Sequence, residues 1–104
     1  MIQGDVRWHT FKEPNKRRPV LILTRNAAIA KLTSVTIAQI TTTIRNIESV
    51  VWLDENDGMY EVCAVNLDNI QTVEKRKIGK TITHLSDERM QEVFEAMKFA
   101  FDFK

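Results

Sequence analysis

Apolar and polar positions change places every one or two residues over most of this chain, which is the period of β-strands rather than of helices. Gly4 to Phe11 reads as a first strand, with Val6, Trp8 and Thr10 on one face and Arg7, His9 and Phe11 on the other. A polar linker follows, Lys12 to Arg17. Pro19 then precedes Val20-Leu21-Ile22-Leu23-Thr24. Proline is tolerated at a strand's first residue, where its missing N–H breaks no ladder. This second run is apolar on both faces, so it is predicted to be central. Thr33 to Thr43 and Ile47 to Leu53 are rich in β-branched residues and predict two more strands. Asp54-Glu55-Asn56-Asp57-Gly58 is a turn sequence, with short polar side chains and a glycine free to take positive φ. Tyr60 to Leu67 and Ile70 to Val73 are read as separate strands. A basic stretch, Lys75 to Lys80, leads to a short extended piece, Thr81-Ile82-Thr83.

The period changes at the end. Leu85, Met90, Val93, Phe94, Met97 and Phe101 fall on a helical stripe, and Phe99 lies off it. Ser86 is placed to cap this helix, and Asp87 and Glu88 in its first turn suit the positive end of the helix dipole. Arg89 stands where a capping box wants Glu or Gln. Five to seven short strands with no useful helix between them argue against parallel crossovers. The expected fold is a mostly antiparallel, curled sheet or small barrel with a C-terminal helix packed on it. Residues 1–104 are expected to form one domain, as the length suggests.

Composition adds little to that picture, but charge adds something. The net charge is +1, yet residues 1–45 hold eight Lys/Arg against two Asp/Glu, and residues 46–104 hold seven against twelve. A basic first half can present an anion-binding face in a nearly neutral protein. The single cysteine, Cys63, sits in the apolar run Val62-Cys63-Ala64-Val65 and reads as a buried thiol in a reducing compartment. No apolar stretch approaches the ~20 residues of a membrane span, and the N-terminus lacks the pattern of a signal peptide, so the expected location is the cytoplasm.

Candidate chemistry is sparse. The two histidines, His9 and His84, belong to no metal-binding spacing, and there is no phosphate-binding glycine loop and no nucleophile elbow. Neither a metal nor a cofactor is expected. Lys16-Arg17-Arg18 runs straight into a stiff hydrophobic strand. A guanidinium whose backbone is held there can present its donors to a phosphate or to the charge of a phosphoryl transition state; a solvated basic loop is the alternative. Gln39-Ile40-Thr41-Thr42-Thr43 ends a strand in hydroxyls, which can serve a phosphate oxygen or merely favour β-structure. Lys75-Arg76-Lys77 is either a backbone grip or a solvated face. Trp8, Phe11, Trp52 and Tyr60 can stack on bases if exposed. Trp52 is expected in the core, and Trp8 fits either place. For RNA contacts the sequence thus offers Lys16, Arg17, Thr42, Trp8, Lys75 and Lys77.

Gly4-Asp5-Val6, then Arg18-Pro19-Val20-Leu21, Gln39-Ile40-Thr41, Leu67-Asp68-Asn69-Ile70-Gln71-Thr72-Val73, and finally Lys80 to Met90, occur in an order that resembles the MazF/PemK toxins over nearly the whole chain. The resemblance implies an SH3-like barrel of the MazF/PemK/CcdB plasmid-toxin type, assembled as a homodimer. It implies a sequence-specific endoribonuclease acting on mRNA, and in some members on tRNA or rRNA, neutralised by a cognate antitoxin. It implies Arg18 and Thr41 as the catalytic residues. Two features depart from the family's pattern. The loop between the first two strands is short and lacks a Gly-Ser-Glu character, and Gln71 replaces a common arginine.

The expected chemistry is attack of the substrate's own 2′-hydroxyl on the adjacent phosphorus, giving a 2′,3′-cyclic phosphate and a 5′-hydroxyl without a metal. The sequence names no general base. Two other readings stay open. One is a gyrase-directed toxin of the same fold type, whose apolar end, Phe99 to Lys104, inserts at a protein interface. The other is a non-catalytic RNA- or protein-binding barrel.

Overall fold

The computed structural model describes residues 1–12 and 16–103. The middle of the predicted linker, residues 13–15, lies outside the described residues, as does Lys104. Six strands form one antiparallel sheet: β1 (Asp5–Thr10), β2 (Arg17–Ile22), β3 (Ser34–Thr41), β4 (Val50–Leu53), β5 (Cys63–Glu74) and β6 (Ile78–His84). Their order across the sheet is β4-β5-β3-β2-β1-β6. A one-turn helix α1 (Asn26–Ile29) links β2 to β3, and α2 (Asp87–Ala100) ends the fold.

β2 is central, as its two apolar faces require. Leu21 and Leu23 enter the main core with Val6, Ile40, Val51, Leu53, Val65 and Leu67, while Val20 and Ile22 join Ile29, Val35 and Ile37 on the other face. Helix α2 lays Met90, Val93 and Ala96 on the main core. Fully burying an aliphatic side chain is worth roughly 1.5–3 kcal/mol, so this stripe orients the helix. Ser86 caps it as expected, its hydroxyl accepting from the Arg89 N–H at 3.1 Å. The sheet curls until its two ends meet. The Thr83 hydroxyl on β6 donates to the Asp57 carbonyl beyond β4 at 2.9 Å, and the Arg89 Nε reaches Asp57 Oδ1 at 2.9 Å. The result is barrel-like, its seam made by side chains.

Several expectations change. β2 begins at Arg17, so Pro19 is its third residue rather than its first. Tyr60–Leu67 and Ile70–Val73 are not separate strands: one strand runs from Cys63 to Glu74, and Tyr60 to Val62 precede it. The partner register jumps between Ala38↔Ile70 and Gln39↔Asn66, so Leu67 to Asn69 form a bulge within the strand. β4 begins at Val50 rather than Ile47, and β6 spans Ile78 to His84. Trp52 is 50% exposed rather than in the core, because it alternates with buried Val51 and Leu53 on a short edge strand. Phe101 is exposed just past the helix, so the stripe ends at Met97 and Ala100. The helical turn α1 has no counterpart in the sequence reading; its Asn-Ala-Ala-Ile carries no side-chain cap.

Candidate active site

The β2–β3 ladder stops at Val20↔Gln39. The next residue of β2 is Pro19, which has no N–H to offer. Continuing the same register by two residues sets Arg18 opposite Thr41. With the ladder ended, these strand ends open into a cavity of about 430 Å³. Lys16, Arg17, Arg18 and Pro19 line it from β2 and the residue before it. Ile40, Thr41 and Thr42 line it from the end of β3, and Trp8 from β1. Met59, Cys63 and Ile82 make its apolar floor, continuous with the main core, and Tyr60 and Glu61 stand at its wall.

The charged groups in it differ in how they are held. Arg7, Arg18 and Arg89 are the half-buried arginines among the described residues. Arg7 donates to the Gly79 carbonyl at 2.9 Å and meets Asp5 at 3.5 Å, and Arg89 meets Asp57 and Glu92. Arg18 has no ion pair or hydrogen bond among the described residues. A partly desolvated guanidinium without a partner loses hydration for no return in the free protein, so it is matched to an anion that arrives from outside. Arg17 is placed differently: its guanidinium carbon lies 4.3 Å from the centre of the Trp8 ring. That stack fixes the Arg17 plane at the cavity mouth.

Thr41 is equally prepared. The Thr43 N–H donates to Thr41 Oγ1 at 3.0 Å, which orients the hydroxyl and leaves its proton for an incoming oxygen. Cys63 is not a nucleophile here. Burial, with the negative charges of Glu61, Asp57 and Asp54, pushes its thiol up to about 11, so it stays protonated.

The structure thus gathers Arg18, Thr41, Arg17, Lys16, Thr42 and Trp8 around one cavity. It does not bring Lys75 and Lys77 there. They lie in the turn between β5 and β6, where the Lys75 ammonium donates to the Ile29 carbonyl at 2.7 Å and holds α1 in place. Gln71 pairs with Ile37 and is also away from the cavity. Phe11 packs edge-on to buried His9, with ring centroids 4.6 Å apart, and offers no stacking face to the cavity. Tyr60, one of the aromatics expected to stack on bases if exposed, is 76% exposed and lines the cavity, while Glu61 is a site residue that the sequence did not single out. The signal for Glu61 is only positional, since it sits where the chain enters β5 across from the end of β3. Among the described residues no group of three His, Cys, Asp or Glu side chains is placed to hold a metal ion. No helix among them is long and apolar enough to cross a membrane.

Residues 2–101 match the family model described as PemK-like, MazF-like toxin of type II toxin-antitoxin system. The chain belongs to this family. It is 40% identical over 88 residues to the endoribonuclease MazF3 of Mycobacterium tuberculosis, covering 85% of each chain. Its fold superposes on the structure of the M. tuberculosis toxin MazF-mt6 with a TM-score of 0.88 at 35% identity, over 96% of this chain and 98% of that one. A mycobacterial endoribonuclease in complex with its cognate antitoxin gives a TM-score of 0.89 at 25% identity, over 100% and 97% of the two chains. The barrel-like β fold with a C-terminal helix is the family's fold.

Proposed function

We propose that this protein is a sequence-specific endoribonuclease toxin that cleaves single-stranded RNA by attack of the 2′-hydroxyl on the neighbouring phosphorus. The observation that carries the reading is half-buried Arg18, without a partner among the described residues, sharing a cavity with the oriented hydroxyl of Thr41. Arg18 stabilises the charge that builds on the phosphoryl oxygens, and Thr41 donates to one of them and fixes the reacting geometry. Lys16 and Arg17 attract the backbone on either side. The Trp8–Arg17 stack and exposed Tyr60 offer planar faces to unpaired bases, and Thr42 offers a further hydroxyl. Lys75 and Lys77 are left to any RNA that extends beyond the cavity. The nucleophile belongs to the substrate, so the protein supplies positioning and electrostatics, and the reaction calls for no metal. Residues 1–104 act as one toxin domain, working as a homodimer and neutralised by an antitoxin that covers the cationic cavity with an acidic segment.

Replacing the 2′-hydroxyl at the cut site by hydrogen tests the chemistry. The account expects no cleavage of that RNA while binding is retained; cleavage of an all-DNA copy would refute it. A gyrase-directed or purely binding role is the less favoured reading. It gains weight only if the folded protein, free of antitoxin, fails to cut varied RNA.

A further inference from the structure

Resting on the ribonuclease reading above, we infer that Glu61 is the proton acceptor for the attacking 2′-hydroxyl. The reaction needs a base, and the cavity offers few. Lys16, Arg17 and Arg18 are cations, and a guanidinium does not give up its proton in a protein. Thr41 is a donor to the phosphate. The Cys63 thiol is locked in its protonated form by burial. His9 stands opposite Arg18 in the β1–β2 register, but its ring is buried against Phe11 and does not line the cavity. His84 is engaged with Asp5 at 3.1 Å, also away from the cavity. Glu61 is the only carboxylate on the cavity wall among the described residues. It makes no ion pair or hydrogen bond with another described residue, although three cations line the same cavity. Its charge acts on Cys63 in the floor, together with those of Asp57 and Asp54 in the preceding turn.

A carboxylate in a groove for a polyanion works against binding. A role in proton transfer accounts for its presence. In the step, Glu61 takes the proton of the 2′-hydroxyl as the 2′-oxygen bonds to phosphorus. The bond from phosphorus to the 5′-oxygen breaks, and that oxygen takes a proton from solvent water. Glu61 then returns its own proton to solvent, so charge and protons balance.

The test uses the full chain, Glu61→Gln, and an RNA carrying a mapped cut site. Single-turnover cleavage is expected to fall about a hundredfold or more. Binding of the uncleavable 2′-deoxy RNA is expected to stay the same or tighten, since a negative charge has left its path. The rise of rate with pH on the acid side is expected to flatten, with Lys16, Arg17, Arg18, Asp54 and Asp57 still in place around the site. Glu61→Asp is expected to keep part of the activity. A Glu61→Gln rate within threefold of wild type overturns the inference while Arg18→Ala remains dead. So does a full rate on a changed cut motif, which would make Glu61 a base reader. Failure of the wild-type protein to cut any RNA, or full activity of Arg18→Ala, overturns the ribonuclease reading itself.

Discussion

The hydroxyl of Thr41 and the guanidinium of Arg18 are the smallest units that the account depends on. Thr41→Val keeps the shape and β-propensity and removes the donor, and Arg18→Ala removes the guanidinium charge. In the proposed mechanism each deletes a contact made most strongly in the transition state. Each is therefore expected to lower the single-turnover rate about a hundredfold or more, roughly 3 kcal/mol, with the fold intact by circular dichroism. Near-normal cleavage by folded Arg18→Ala removes it from the mechanism. Two other residues set the response to acid. His9, 7% exposed and with no partner for its Nδ1 among the described residues, is held below the usual histidine range by burial and by the charge of Lys77. Burial pushes the Asp5 carboxyl up, but the Ile2 N–H, the hydrogen bond and charge of His84 and the charge of Arg7 together hold it below its ordinary value. Both folded values are depressed, so the unfolded chain binds more protons and stability falls with falling pH. The His9 contribution is complete above pH about 6.5 and is lost below it, and the Asp5 contribution is lost below about 4. Urea midpoints between pH 7 and 5 should fall for wild type and stay flatter for His9→Phe. Among single residues, Arg18 and Thr41 were legible because the resemblance to the family covers their motifs. Glu61 was not, since one acid between Tyr60 and Val62 acquires meaning only when the end of β3 faces it.

Strands and turns show how far local pattern reaches. β1, β3 and α2 lie within a residue or two of where alternation and helical period place them, and the Asp54–Gly58 turn forms with Gly58 at φ +91°. A Cβ added at Gly58 would lie 2.3 Å from Thr83 Oγ1. Gly58→Ala is thus expected to destabilise by at least roughly 1–2 kcal/mol from its backbone alone, and more from the clash, read as a lower thermal midpoint. Arg89→Ala opens the same seam by removing the tie to Asp57, and is expected to cost about 1.5–3 kcal/mol. The sequence pattern misplaced what long-range pairing decides. β5 stays one strand through a bulge because β3 pairs with it on both sides of the jump, and Pro19 is admitted into β2 because the ladder to β3 has already ended there. The cavity exists because of that ending, and no local signal announces it.

At the scale of the molecule the charge asymmetry of the chain is folded into one place. Lys16, Arg17 and Arg18 from the basic half and Glu61 from the acidic half line the same cavity. A second groove, about 990 Å³, runs between the edge strand β4 and α2, with exposed Ile47, Trp52, Val62 and Phe99 along it. Apolar exposure of this kind suits self-association. The wild-type protein is expected to sediment as a dimer and Trp52→Glu as a monomer; an unchanged mass for Trp52→Glu places the contact elsewhere. The most direct measurement of the central claim is incubation of the purified protein with a long, varied RNA in EDTA, followed by mapping of the fragment ends. The account predicts discrete cuts at a shared short motif, with 5′-hydroxyl and 2′,3′-cyclic phosphate ends that vanish in Arg18→Ala. Ends bearing a 5′-phosphate, or cuts that persist unchanged in Arg18→Ala, contradict it.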